Sequence, residues 1–177
     1  MLSGRRGPAA LEMPWDVFTQ RADVGAVKPF DPFPAPRPDP DRIKAATALI
    51  ASSKTPMIFV GSGAIDAADE ILELAELIDA PAVAFRSGRG IVSNAHELGL
   101  TMAAAYRLWP STDLMIGIGT RLELTTMTRW PFRPDGLKSI RIDIDPSEMR
   151  RFTPDAAIIA DARAGTDALL AAVRKQG

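Results

Sequence analysis

Thr55-Pro56-Met57-Ile58-Phe59-Val60-Gly61-Ser62-Gly63, running on through a helical pattern to Pro81, decides the fold. Met57 to Val60 is a short continuous apolar run with β-branched and aromatic members, as expected of a strand buried on both faces. It breaks at Gly61-Ser62-Gly63, where glycine supplies the backbone freedom a sharp turn needs. Beyond the turn, Ala68, Ile71, Leu72, Ala75 and Ile78 recur at spacings of three and four and so line one stripe of a helix. Acids occupy much of the remaining surface. Asp66 is the expected N-cap, where its charge complements the positive end of the helix dipole, and Pro81 is the expected stop. Strand, glycine turn and helix form the opening half of a βαβ unit, so a parallel sheet follows.

Working outward, Asp39 with Pro40 behind it opens a helix whose stripe is Ile43, Ala46, Leu49 and Ile50. After Pro81, Ala82-Val83-Ala84-Phe85 reads as a second buried strand, ending in the basic turn Arg86-Ser87-Gly88-Arg89-Gly90. Leu98 to Leu100 is a further strand candidate. Thr101 to Leu108 suits a short helix closed by Pro110, and Asp113 to Ile118 is another strand, followed by Gly119-Thr120-Arg121. Residues 122–136 read as irregular, because Trp130, Pro131 and Pro134 spoil any long helix. Ser139 to Ile144 is a strand ended by Asp145-Pro146, and Ala157 to Ala160 is a last short one. Asp161 caps a final helix with Thr166, Leu169, Leu170 and Val173 inward, and with Arg174 and Lys175 at its negative end. The alternation predicts an α/β fold: a doubly wound, mainly parallel sheet of five or six strands, Rossmann-like.

The composition fits one globular domain with some chain to spare. In 177 residues, 46% are apolar and the net charge is −1, which argues against a basic nucleic-acid surface and an acidic disordered tail. There is no cysteine, which excludes thiol nucleophiles, disulfides and cysteine zinc sites. No apolar run approaches the roughly 20 residues that cross a bilayer, and no apolar segment follows the basic N-terminus, so no membrane partner and a cytoplasmic location are expected. Residues 1–36 do not read as the start of a domain. Pro8 to Met13 suits one strand, but a lone strand makes no sheet. Pro29, Pro32, Pro34, Pro36, Pro38 and Pro40 then favour an extended connector, with Trp15, Phe18, Phe30 and Phe33 available for docking.

In an open α/β sheet, ligands sit outside the carboxyl ends of the strands, near the point where strand order reverses. The residues placed there are Gly61, Ser62 and Gly63; Arg86, Ser87, Gly88 and Arg89; Gly119, Thr120 and Arg121; Asp143 and Asp145; and Asp161. Glycines allow close backbone approach, arginines match phosphates in a fork, and carboxylates accept ribose hydroxyls. Two readings stand: a nucleotide cradle, or a rim whose arginines pair with Asp143 and Asp145. Gly-x-Gly lacks the third glycine of the phosphate fingerprint, and Asp66 would repel a pyrophosphate at the helix start. His96, the only histidine, has no nucleophile nearby in sequence and suits a loop or capping role. No clustered His/Asp/Glu set suggests a metal site.

Taken in order, residues 40–176 resemble the middle domain of thiamine-diphosphate-dependent enzymes of the acetolactate synthase and 2-oxo-acid decarboxylase type. The resemblance rests on Val60-Gly61-Ser62-Gly63-Ala64, Glu73-Leu74-Ala75-Glu76-Leu77, Ala80-Pro81-Ala82-Val83 with Gly88-Arg89-Gly90, and His96 with Leu98-Gly99. It continues through Asp113 to Arg121, Ile142-Asp143-Ile144-Asp145-Pro146 and Ala160-Asp161-Ala162. It implies a tail of a preceding pyrimidine-binding domain over 1–18, an interdomain linker over 19–38 and a central Rossmann-like domain over 39–177. It further implies that this chain is an internal piece of a larger, oligomeric enzyme, partnered by that enzyme's other domains, with thiamine diphosphate and magnesium held elsewhere. The family's catalytic glutamate lies in the pyrimidine-binding domain, and no Gly-Asp-Gly metal motif occurs in this sequence. By resemblance, Arg121, Asp143, Ile144, Asp161 and Ala162 match positions flanking an FAD or ADP adenosine in some members. The stretch between Gly99 and Asp113 is short and lacks the Gly-x-x-Gly of flavin-carrying members, which favours an empty or repurposed crevice.

Two rival readings come from other classes. One is a free-standing nucleotide-binding module such as an electron-transfer flavoprotein domain; the other is a structural oligomerisation domain. A sirtuin-like deacylase shares the fold class, but the lack of cysteine removes its usual zinc site.

Overall fold

The computed structural model describes residues 4–31, 33–84, 86–122, 130 and 132–176. The chain divides into two units, Met1–Ala35 and Pro36–Gly177. In the first, Trp15–Thr19 forms a 3-10 turn closed by the Thr19 hydroxyl, which donates to the Asp16 carbonyl at 2.8 Å. Phe30 and Phe33 meet edge to face, with ring centroids 5.7 Å apart. The strand expected over Pro8–Met13 is not formed, as a strand without a ladder partner cannot be.

The second unit is a six-stranded, all-parallel sheet. Its strands are β1 (Pro56–Val60), β2 (Ala82–Ala84), β3 (Gly99–Leu100), β4 (Leu114–Ile118), β5 (Lys138–Asp143) and β6 (Ala156–Ile159). Their order is β3-β2-β1-β4-β5-β6, so the order reverses between β1 and β4, where Ile58 lies beside Ile116 and Val60 beside Ile118. The helices are α1 (Pro40–Ser52), α2 (Ala68–Leu77), α3 (Met102–Leu108) and α4 (Ala162–Arg174). Side-chain alternation separates two cores. Ile58, Val60, Ile116, Ile118, Ile140 and Ile142 pack with Ile43 of α1, Ile71 and Leu74 of α2, and Leu169 of α4. Met57, Phe59, Val83 and Met115 face the other way, onto Ala105 of α3, Trp109, Leu122 and Trp130. There Trp109 and Trp130 lie 5.1 Å apart, and Phe59 meets both edge-on.

The helix caps follow the sequence at two of three places. Asp39 accepts the Asp41 amide at 2.9 Å and Asp161 accepts the Arg163 amide at 3.0 Å, each opening its helix as expected. Asp66 does not cap α2. Ser62–Ala67 forms a tight 3-10 turn first, and α2 begins at Ala68 without a side-chain cap. This turn is seated on the one after β4, where the Gly63 amide donates to the Gly119 carbonyl at 3.1 Å. Nor does Pro81 end α2. Asp79 takes a left-handed φ of +49°, and the Ala80 amide returns to the Ala75 carbonyl, closing the helix earlier. Phe85, expected in β2, and residues 123–129 and 131 of the irregular stretch lie outside the described residues.

Candidate functional site

The carboxyl edge of the sheet gathers the turns singled out in the sequence. Gly61, Gly63, Gly88, Gly119 and Thr120 form one backbone knot at the point where strand order reverses. A methyl group on Gly61 would lie 2.5 Å from the Gly119 carbonyl oxygen and 2.8 Å from the Thr120 Cα. One on Gly119 would lie 2.5 Å from the Gly63 carbonyl carbon, and one on Gly88 would lie 2.7 Å from the Val60 oxygen. The amides are also engaged. Gly61 donates to Ile118 O at 3.2 Å, Gly63 to Gly119 O at 3.1 Å, and Gly119 to Ile142 O at 2.9 Å. A phosphate is held at such a turn by amides pointing at it. Here those three donate to the chain itself, so the glycines serve chain-on-chain packing and do not fit a pyrophosphate.

The other expected residues surround this knot. Ser62, Ser87 and Arg89 are exposed on their turns, and Arg86 holds a left-handed φ of +52°. Arg121, half-exposed, places its Nε 3.5 Å from the Glu148 carboxylate, and Arg151 closes on the same group at 2.9 Å. Asp143 is part-buried at the end of β5, where its Oδ1 accepts the Asp145 amide at 3.0 Å. Burial pushes its carboxyl pKa upward, and this outweighs the Asp145 amide and the attraction of Arg141; repulsion by Glu148 and Asp145 adds to the rise. Ile144 is part-buried, Asp161 spends one oxygen on its cap, and Ala162 is buried in the first turn of α4. Asp143 and Asp161 are linked through the main chain, the Ala160 amide donating to the Asp143 carbonyl at 3.2 Å.

Two groups at this edge were not singled out from the sequence. Arg141 is fully buried on β5, its guanidinium donating to the main-chain carbonyls of Glu148 at 2.5 Å and Thr120 at 2.8 Å. Glu148 is buried in the 3-10 turn Pro146–Arg150. The signal for Arg141 was its place among Ser139, Arg141 and Asp143, the polar alternates of an otherwise apolar strand. Nothing local signalled Glu148. Its partners come from β5, the turn after β4 and the chain beyond its own turn.

A family described as thiamine pyrophosphate enzyme, central domain, matches residues 43–169. The chain belongs to that family. Acetolactate synthase of Mycobacterium leprae is 32% identical over 190 residues, covering 97% of this chain and 29% of that protein. Glyoxylate carboligase of Escherichia coli O157:H7 is 30% identical over 182 residues, covering 96% and 30%. In the crystal structure of benzoylformate decarboxylase from Polynucleobacter necessarius, 30% of the chain superposes on 86% of this one with a TM-score of 0.68 at 20% identity, a likeness of fold. This central domain therefore spans about 30% of the length of the curated relatives it matches.

Within this thiamine pyrophosphate enzyme central domain, His96 holds the chain in place. His96 Nδ1 accepts the Leu98 amide at 3.2 Å and Nε2 lies 3.2 Å from Glu76, pinning the chain before β3 to α2. This is the loop role expected of it. Among the described residues no group of three His, Cys, Asp or Glu side chains is placed to hold a metal ion. No helix among them is long and apolar enough to cross a membrane.

Proposed function

We propose that this chain is the central scaffold domain of a larger thiamine-diphosphate- and magnesium-dependent enzyme acting on 2-oxo acids, by acetolactate-synthase-like carboligation or by decarboxylation. The observation that carries the reading is the family match over residues 43–169, in relatives of which this chain spans about 30%. The engaged amides of Gly61, Gly63 and Gly119 support a scaffold over a nucleotide-carrying module. On this reading the other domains of the enzyme, and further copies of the chain, are its partners, and the 177-residue chain alone is catalytically inert.

The test is direct. The purified chain is assayed with pyruvate and glyoxylate in the presence of thiamine diphosphate and magnesium, and titrated calorimetrically with that pair, with ADP and with FAD. No turnover and no heat up to millimolar ligand is expected. Turnover surviving rigorous removal of host enzymes would refute the inert-fragment reading. Saturable ADP or FAD binding that Arg121→Ala weakens would replace the scaffold with a nucleotide site.

A further inference from the structure

Arg141 is a costly side chain to bury, and its surroundings show what it does. A charge removed from water is costly unless it is paired and fully hydrogen-bonded, and apolar residues of similar volume often serve a core at least as well. Arg141 is fully buried, and its Nε has no hydrogen-bond partner among the described residues. Among the described residues its two terminal nitrogens hydrogen-bond to no carboxylate. They go instead to two main-chain carbonyls, Thr120 in the turn after β4 and Glu148 in the turn after β5. Bonds to main-chain oxygens fix the path of the chain rather than the rotamer of a neighbour.

Both turns need such fixing. Gly119 and Leu122 have left-handed φ values of +55° and +53°, and Leu122 is a side-chain-bearing residue in a conformation that L-residues rarely adopt. Its side chain lies over Gly117, where an added methyl would come within 3.1 Å of it. The turn after β5 is a single 3-10 segment, Pro146–Arg150, capped by Asp145 through the Ser147 amide at 2.9 Å. Glu148, in that turn, receives Arg121 from the first turn and Arg151 from beyond the second.

We propose that Arg141 is a buried strut that locks the turns after β4 and β5 into one unit and so positions Arg121 and Arg151 on Glu148. The two turns at the carboxyl edge of the sheet are then held together by the chain's own groups. The strut is a property of this sheet edge and holds whichever reaction the larger enzyme carries out.

The planar fork is essential to the argument, because a lysine ammonium at the same place has one head group and cannot span both carbonyls. The test uses amide hydrogen exchange read residue by residue in the 177-residue chain. The reporters are Leu122, whose amide donates to Thr120 Oγ1 at 3.2 Å, and Arg151, whose amide donates to the Glu148 carbonyl at 3.3 Å. Arg141→Met is expected to speed exchange at both by about tenfold or more while Ile58, Ile116 and Leu169 stay protected. Arg141→Lys is expected to leave at least one reporter fast, and Glu148→Gln, which keeps the main-chain carbonyl, to leave Leu122 as in the parent. Unchanged exchange in Arg141→Met, a uniform loss of protection across the sheet, or full rescue by lysine would each overturn the strut. So would a Glu148→Gln variant that frees Leu122 as much as Arg141→Met does. Where Arg141→Met fails to fold, the lysine variant alone decides by the same reporters.

Discussion

Gly119 carries two constraints at once. Its φ of +55° is left-handed, and any Cβ would lie 2.5 Å from the Gly63 carbonyl carbon, a backbone atom that cannot swing aside. Forcing an L-residue into that conformation costs roughly 1–2 kcal/mol, and overpacking typically adds about 1–3. Gly119→Ala is therefore expected to lower stability by about 2–5 kcal/mol in urea unfolding. Gly25→Ala is the control: Gly25 has no positive φ and no heavy atom within 4 Å of its added methyl, so its unfolding midpoint is expected to stay put. These glycines were legible as special, because paired glycines after an apolar run mark a strand-to-helix turn. Their use was not. Gly61 and Gly119 are distant in sequence, and only strand pairing reveals that their partner is another turn of the same chain. The same limit hid Arg141, visible as a charge in an apolar strand while its two acceptor carbonyls were not.

At the level of elements, local chemistry read well wherever one side chain decides a boundary. Asp39 and Asp161 each accept the amide two residues on, and both helices start where those residues stand. Replacing a helix-capping aspartate by alanine typically costs about 1 kcal/mol, whereas asparagine keeps an acceptor oxygen. Asp161→Ala is thus expected to lower the thermal midpoint and Asp161→Asn to leave it nearly unchanged. Equal loss in both would mean that the charge, not the cap, matters. The boundaries of α2 were misread for a tertiary reason. Asp66 stands in a suitable local pattern, but the first turn is a 3-10 segment packed on Gly119, in the turn after β4, and Asp79 ends the helix before Pro81. β3 has just two residues, Gly99 and Leu100, because it is an edge strand held by β2 alone. So short a run shows little periodicity in the sequence.

For the whole molecule, the alternation of apolar runs with helical stripes was enough for the doubly wound sheet, and ordered motifs were enough for the family. The sequence does not show how the acidities of Asp113, Asp143 and Asp155 are shifted, and those shifts bear on acid stability. Burial opposes ionisation of Asp113, yet the Ser53 hydroxyl and the Lys54 and Thr55 amides at 2.7 and 3.1 Å outweigh it and hold its pKa down. Asp155 is held down likewise, against burial, by Lys138 at 3.2 Å and by the Ser139 hydroxyl and amide at 3.0 and 2.9 Å. Both lowered groups contribute stability that is complete above the ordinary aspartate value near 3.8 and is lost as pH falls through their folded values below it. Asp143 has the opposite sign. Its raised value means that its charged form costs the folded state at neutral pH, a cost that fades as pH falls through that raised value toward the ordinary one. Asparagine mimics the protonated form and keeps the acceptor for the Asp145 amide. Asp143→Asn is therefore expected to unfold at higher urea than the parent at pH 7, with the gap closing on mild acidification. Asp113→Asn replaces one of the two oxygens that together serve three donors by an amide nitrogen, so it is expected to be the less stable at pH 7, by about 1–3 kcal/mol. That gap closes only at more acid pH, below the ordinary aspartate value. An Asp143→Asn chain weaker than the parent at pH 7 would show that attraction to Arg141, not burial, governs this carboxylate.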